Sequence, residues 1–160
     1  MRSPALRPGT KASKRSAARL AAVQALYQMD IAQTNLADVL AEYQAWRLGA
    51  ELEGAQYNEA DRDFFENVVS GVVREQRTLD PRVDATLAPE WPLRRLDAIL
   101  RAILRAGAYE LMFRPDVPAR AVINEYVDVA RAFFEGDEPR FANGVLDRLA
   151  RDTRAEEFGA

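Results

Sequence analysis

From Leu96 to Met112 the large apolar residues recur at Leu96, Ile99, Leu100, Ile103, Leu104, Leu111 and Met112, with Ala102, Ala106 and Ala108 between them. That three-and-four spacing predicts a helix buried on most of its sides, with the remaining elements packed around it. A narrow polar stripe is left at Asp97, Arg101 and Arg105, four residues apart and with the acid first, the better order for an i, i+4 pair. This stripe is expected to face solvent or a partner. Gly107 lies on the apolar side, where glycine costs ~1 kcal/mol against alanine, so close approach of another backbone is expected there.

The same periodicity predicts five further helices. One begins at Ser13 as N-cap and places Leu20, Val23, Tyr27 and Ile31 on one face. A second is capped by Asn35, with Asp38 in the capping-box position, and buries Leu36, Val39, Leu40, Tyr43 and Trp46. Gly49 to Asn58 reads as a loop. A third starts with Glu59, Asp61 and Asp63 in its first turn, buries Phe64, Phe65, Val68, Val69, Val72 and Val73, and is kinked or ended by Pro81, with a second break at Ala88 to Pro92. After the central helix and the Arg114 to Pro118 break, a helix from about Pro118 turns Val122, Tyr126, Val127, Ala130 and Phe133 or Phe134 inward, and Gly136 stops it. The last helix is capped by Asp137, carries Pro139 in its first turn and presents Phe141, Val145 and Leu149 as its apolar face; Gly144 within it suggests tight packing. No stretch alternates with period two, so the expected class is all-α.

Composition narrows the chemistry. A chain of 160 residues, 48% hydrophobic, suits one domain or two small subdomains sharing a core. No apolar run is long enough to span a membrane, and the first residues lack the apolar region of a secretory signal, so a cytoplasmic location is expected. With no cysteine and no histidine, thiol chemistry, Cys or His zinc sites and a Ser-His-Asp triad are excluded. Phosphate-loop, dinucleotide and nucleophile-elbow motifs are missing, and the acids show no catalytic spacing; an enzyme is not expected, and no cofactor is implied.

The net charge of -3 conceals segregation. Residues 1–19 hold Arg2, Arg7, Lys11, Lys14, Arg15 and Arg19 and no acid, so the remaining chain is strongly acidic. Pro4, Pro8 and Gly9 make residues 1–12 a flexible arm. The asymmetry fits a polyanion partner or a solvated tail. Cations in the first turns of a helix also oppose its dipole, a conflict that a bound anion or simple fraying would relieve.

Four strings carry more than periodicity does: AVQALYQMD (Ala22–Asp30), ILRAGAYEL (Ile103–Leu111), DVPARAVINEYVDVA (Asp116–Ala130) and FANGVLDRLARD (Phe141–Asp152). In this order, from about Ser13 to Asp152, they closely resemble the NusB family of bacterial transcription antitermination factors. The resemblance implies two small packed helical bundles, about residues 13–88 and 93–152, with a flexible tail at 153–160. It implies a non-enzymatic protein that pairs with NusE, a ribosomal protein of the small subunit, and binds the boxA element of nascent single-stranded RNA in RNA polymerase antitermination complexes, especially on ribosomal RNA operons. Whether the chain is a monomer or a homodimer is left open.

Carried over onto this chain, the RNA-binding residues are Lys14, Arg15, Arg19, Asp137 and Phe141, although Ser16 and Ala17 interrupt the basic run. Tyr27 is a partner residue, and Tyr27 and Phe141 also fall on apolar stripes, so both are either interface or core. Many relatives carry an acid before the R-A-I-L-R string, where this chain has Leu100; the resemblance then implies a more hydrophobic NusE-facing surface, with Asp97 and Arg101 at its rim. Asn124, Glu125, Asn143 and Tyr109 match motif positions and are read as structural. The alternative is a helical RNA-binding or protein-interaction module without an antitermination role.

Overall fold

The computed structural model describes residues 11–47 and 61–159. Most of the basic arm, the Gly49 to Asn58 loop and Glu59 lie outside the described residues, as does the side chain of Trp46. Among the described residues there are six α-helices and no strand: α1 (Lys11–Ala32), α2 (Leu36–Glu42), α3 (Arg62–Asp84), α4 (Ala98–Phe113), α5 (Ala119–Phe133) and α6 (Glu138–Thr153). A π-type turn at Tyr43–Arg47 extends α2, and single 3-10 turns stand at Leu93–Arg95 and Ala155–Phe158. The chain divides into two compact units with the boundary after Ser70, inside α3.

In the first unit α1 packs on α2 and its π-type extension. Asn35 caps α2: its Oδ1 accepts from the Asp38 backbone N–H at 2.9 Å while its Nδ2 donates to the Asp38 carboxylate at 3.0 Å, the reciprocal pairing that the sequence suggested. Val39 and Tyr43 are buried, and the Tyr43 ring stacks on Phe65 at 5.5 Å. Asp61 opens α3 by accepting from the Phe64 N–H at 2.9 Å. Two expectations for α1 need correction. The helix is already formed by Lys11, so Ser13 is not its cap. Its buried side is Ala18, Ala22, Val23, Ala25 and Leu26, whereas Tyr27 and Ile31 are exposed. Alanines let neighbouring elements come close, and a rule that follows only the large residues selects the wrong face.

The second unit is built on α4, α5 and α6, each packed on the other two. Ten consecutive positions of α4 from Ala102 to Leu111 are buried except Arg105. Asp97 caps this helix, accepting from Ile99 and Leu100 N–H groups at 2.8 and 3.3 Å. Arg101 donates to the Leu96 and Arg94 carbonyls, and Arg105 makes a two-pronged pair with Asp80 at 3.0 and 2.9 Å. The polar stripe is therefore used mainly to fix the start of α4 and to join it to α3. Gly107 is a close-approach position, but a Cβ there would meet the Leu146 side chain of α6 at 2.9 Å, not a backbone. Gly144 is exposed with nothing within 4 Å of a Cβ, so it does not mark tight packing.

Pro81 does not end α3, which runs on to Asp84. The missing N–H removes one ladder bond, but Leu79 and Val83 on either side of it are fully buried, and the Pro81 carbonyl still accepts from Ala85 at 3.0 Å. Val73, expected inside, is exposed. Asp84 then accepts from the Leu93 N–H at 2.7 Å and so ties the proline-bounded turn to the end of α3.

The C-terminal residues make specific contacts with the second unit. Arg154 is 4% exposed and donates to the carbonyls of Glu110, Leu111, Arg114 and Val117 at 2.7 to 3.0 Å, as well as to Glu157. A guanidinium has five donors in a planar fork, and here all five are used, four on carbonyls of the last turn of α4 and the turn that follows it and one on Glu157. Glu157 in turn accepts from the first N–H of α5, that of Ala119, at 2.8 Å, and this backbone donor, with Arg154, holds its carboxyl below the usual range. Phe158 lies under the guanidinium groups of Arg120 and Arg151 at 4.8 and 4.7 Å. Arg114, paired with Asp116 through two bonds, is held firmly charged in the turn between α4 and α5.

Candidate nucleic-acid and partner interface

The basic start of α1 is already engaged with its own unit. Arg15 and Arg19, one helical turn apart, both lie over the Phe64 ring, at 4.6 and 4.7 Å from its centroid. Arg15 also approaches Asp61 at 3.8 Å, and its Nε is buried without a hydrogen bond. Arg19 is only 4% exposed. Cation–π contacts strengthen when water is excluded, so Arg19 is seated as a core residue whose charge rests on an aromatic face. Lys14 and Arg15 are half-buried, and the Lys14 carbonyl accepts from the Asp61 N–H at 3.1 Å. Of the three expected RNA contacts on this helix, Lys14 and Arg15 are accessible and Arg19 is largely enclosed.

Tyr27 lies farther along the same helix and is 37% exposed, which makes it a surface residue and not core. Its neighbour Gln28 donates to Glu42 of α2 at 3.1 Å.

In the second unit the structure brings together residues that the sequence assigned to two different ligands. Phe141 is 38% exposed and lines an apolar groove of about 300 Å³ together with Leu87, Trp91, Leu96, Leu100 and Glu138. Leu100, expected at the partner surface, forms part of this groove but is only 6% exposed. Asp97 and Arg101 sit at the start of α4, where both are committed to the local backbone. Asp137 lines the groove too. It stands at the N-cap position of α6 but makes no side-chain capping bond, so its carboxylate is turned to the surface instead of into the helix.

Asp137 also borders a second depression, open and polar, of about 800 Å³ between α5 and α6. Asn124, Asp128 and Arg131 of α5 face Arg140 and Asn143 of α6 across it. Asn124 and Asn143, expected to be structural ties, are both exposed, and their amides are available to a ligand. Tyr109, by contrast, is buried with its ring stacked on Phe113 at 5.6 Å. Trp91 and Glu138 also line the groove, and sequence reasoning did not single them out. Trp91 is 59% exposed in the proline-bounded turn, and a tryptophan in such a turn, where no core stripe claims it, was the available signal.

The arrangement is therefore an apolar, acid-edged groove and a polar, amide-rich depression meeting at Asp137, with a basic helix start in the other unit. Among the described residues there is no group of acids able to hold a metal ion, and no helix is long and apolar enough to cross a membrane.

Known proteins share this sequence and this fold. The NusB family model matches residues 16–151. The transcription antitermination protein NusB of Rhodopseudomonas palustris strain BisB18 is 59% identical over 155 residues, covering 97% of this chain and 92% of the relative. That of Mesorhizobium japonicum is 56% identical over 148 residues, covering 92% and 96%. Among solved structures, T. maritima NusB superposes with a TM-score of 0.72 at 26% identity, covering 91% of this chain and 97% of that one. NusB from a complex of the antitermination factors NusB and NusE with double-stranded RNA superposes with a TM-score of 0.69 at 25% identity, covering 87% and 97%.

Proposed function

The chain belongs to the NusB family, and from that premise we propose that it is a transcription antitermination factor which binds boxA-type single-stranded RNA together with NusE and so supports ribosomal RNA transcription. It works in the cytoplasm as a binding protein within the RNA polymerase antitermination complex, without a catalytic step. The observation that carries this reading is the near full-length match to NusB proteins, joined to surfaces suited to two different ligands.

RNA is met at two places in this reading. Lys14 and Arg15 supply phosphate contacts, which position a strand without reading it. The depression beside Asp137 supplies Asn124, Asn143 and Arg140, groups able to hydrogen-bond the edges of unstacked bases. NusE meets Tyr27 in the first unit and the Leu100 groove in the second, with Asp97 and Arg101 behind the groove. Phe141, a wall of that groove next to Asp137, belongs to the zone where the two ligands adjoin.

The test is binding of boxA-type RNA against a scrambled sequence of the same composition, with and without NusE, over a range of salt. The expected result is tighter binding to boxA RNA, enhanced by NusE, with affinity falling as salt rises. Equal affinity for the two RNAs in the presence of NusE would overturn the assignment.

A further inference from the structure

We infer that the groove at the start of α6 captures a protein segment in which a large apolar side chain is closely followed by a lysine or arginine, and that Glu138 receives that cation. The inference rests on NusE being the protein partner, and specifies the chemistry of the contact.

Three observations lead to it. The groove walls, Leu87, Leu96, Leu100 and Phe141, are apolar, and the Trp91 ring beside them is more than half exposed. Half-exposed tryptophan at the edge of an apolar cleft is the residue type that most often anchors a protein interface. The volume of about 300 Å³ suits one or two side chains and not a folded surface. Second, Glu138 Oε1 is buried and has no hydrogen-bond partner. Buried acceptors are nearly always satisfied, so this carboxylate, folded back against Gly136, gains a partner only by turning out to a donor that arrives with a ligand. Glu138 stands in the first turn of α6, and hydrogen bonds from a cationic donor to a carboxylate are the shorter and stronger kind, so the donor best matched to it is a lysine or arginine.

The third observation is charge, which selects between the possible occupants. The two ionisable groups lining the groove, Asp137 and Glu138, are both acids, and among the described residues no basic one lines it. A nucleic-acid phosphate placed there would meet two negative groups, whereas a lysine or arginine would meet its complement. The groove is accordingly a protein-binding surface.

The experiment is calorimetric titration of the full chain with the same organism's NusE at low and high salt, for the wild type, Glu138→Gln and Trp91→Ala. Both substituted side chains reach the surface, and circular dichroism checks that each variant keeps its helices. Glu138→Gln should weaken NusE binding by about tenfold and flatten its salt dependence, because the charged pair is gone. Trp91→Ala should weaken it about tenfold with the salt dependence kept. Neither should change boxA-type RNA binding by the free chain. Wild-type binding with Glu138→Gln unchanged or tighter would overturn the cation contact while leaving NusE as the partner. Loss of RNA binding in Trp91→Ala without NusE would make the groove an RNA site and overturn the proposal. Failure of the wild type to bind NusE would remove both the partner and the proposal.

Discussion

The Tyr126 hydroxyl donates to Glu110 Oε2 at 2.5 Å, and neither side chain has any exposed surface. This hydrogen bond joins α4 to α5 in the interior of the second unit, beside the Glu110 carbonyl held by Arg154. A buried carboxyl group that loses one of its hydrogen-bond donors bears part of its own desolvation, about 1 to 3 kcal/mol. Tyr126→Phe, which changes only the hydroxyl, should lower the unfolding free energy by that amount in urea titration. A shift within about 0.5 kcal/mol, typical of neutral surface changes, would mean that other groups satisfy Glu110 fully.

Acid should loosen the C-terminal clasp in a defined direction. Glu157 has a folded-state pKa below its unfolded value because of the Ala119 N–H first and Arg154 second. A depressed carboxylate contributes stability that is present above the unfolded pKa and is lost as pH falls through the folded one. The difference in melting temperature between wild type and Glu157→Gln should thus be constant near neutrality and shrink on acidification below the ordinary glutamate range, about pH 4.3. A difference that grows on acidification would contradict the assignment.

Much of this architecture is legible in the sequence because α4 has its large residues on a strict helical period and Asp97 and Asn35 are strong caps. What stays hidden depends on non-local partners. The buried face of α1 is largely alanine, so its periodicity carries no weight in a reading based on bulky residues. Arg154 looks like one more charge in a polar tail until the four carbonyls around it are seen. Phe141 stands at four-residue spacing from Val145 and Leu149, yet it is at the surface while they are inside, because in the first turns of α6 the covered positions are Pro139 and Ala142 and Phe141 falls at the edge of that face. Nor could spacing alone bring Leu100, Asp137 and Phe141 to one groove, since that needs the crossing of α4 and α6.

Lys14, Arg15 and Arg19 should separate by phenotype. Removing one phosphate-neutralising cation from a single-stranded RNA complex reduces the slope of log affinity against log salt by about 0.7. Lys14→Ala and Arg15→Ala should show this reduction in filter binding or fluorescence titration. Arg19→Ala should leave the slope nearly unchanged and instead lower thermal stability, since its guanidinium is buried on Phe64. A full slope change for Arg19→Ala at wild-type stability would show that the side chain leaves Phe64 to meet RNA.

Three helical glycines should respond to alanine with opposite signs, and the contrast tests the packing of the second unit. A Cβ on Gly71 would fall within the Tyr109 ring, which is rigid and buried, so Gly71→Ala has to displace it. At Gly107 the obstacle is the Leu146 side chain at 2.9 to 3.0 Å, which has rotamer freedom, and the cost should be smaller. Overpacking of this kind typically costs about 1 to 3 kcal/mol. Gly144 has open space around it and lies inside α6, so alanine there removes only the entropic disadvantage of glycine and should stabilise by about 0.5 to 1 kcal/mol. The expected order of midpoints in urea is Gly144→Ala above wild type, then Gly107→Ala, then Gly71→Ala. If Gly144→Ala is more stable but binds boxA-type RNA or NusE less well, the glycine is present for close approach of a ligand beside Asn143, since nothing within the fold requires it. If it is less stable than wild type, the middle of α6 is packed more tightly than the structure indicates.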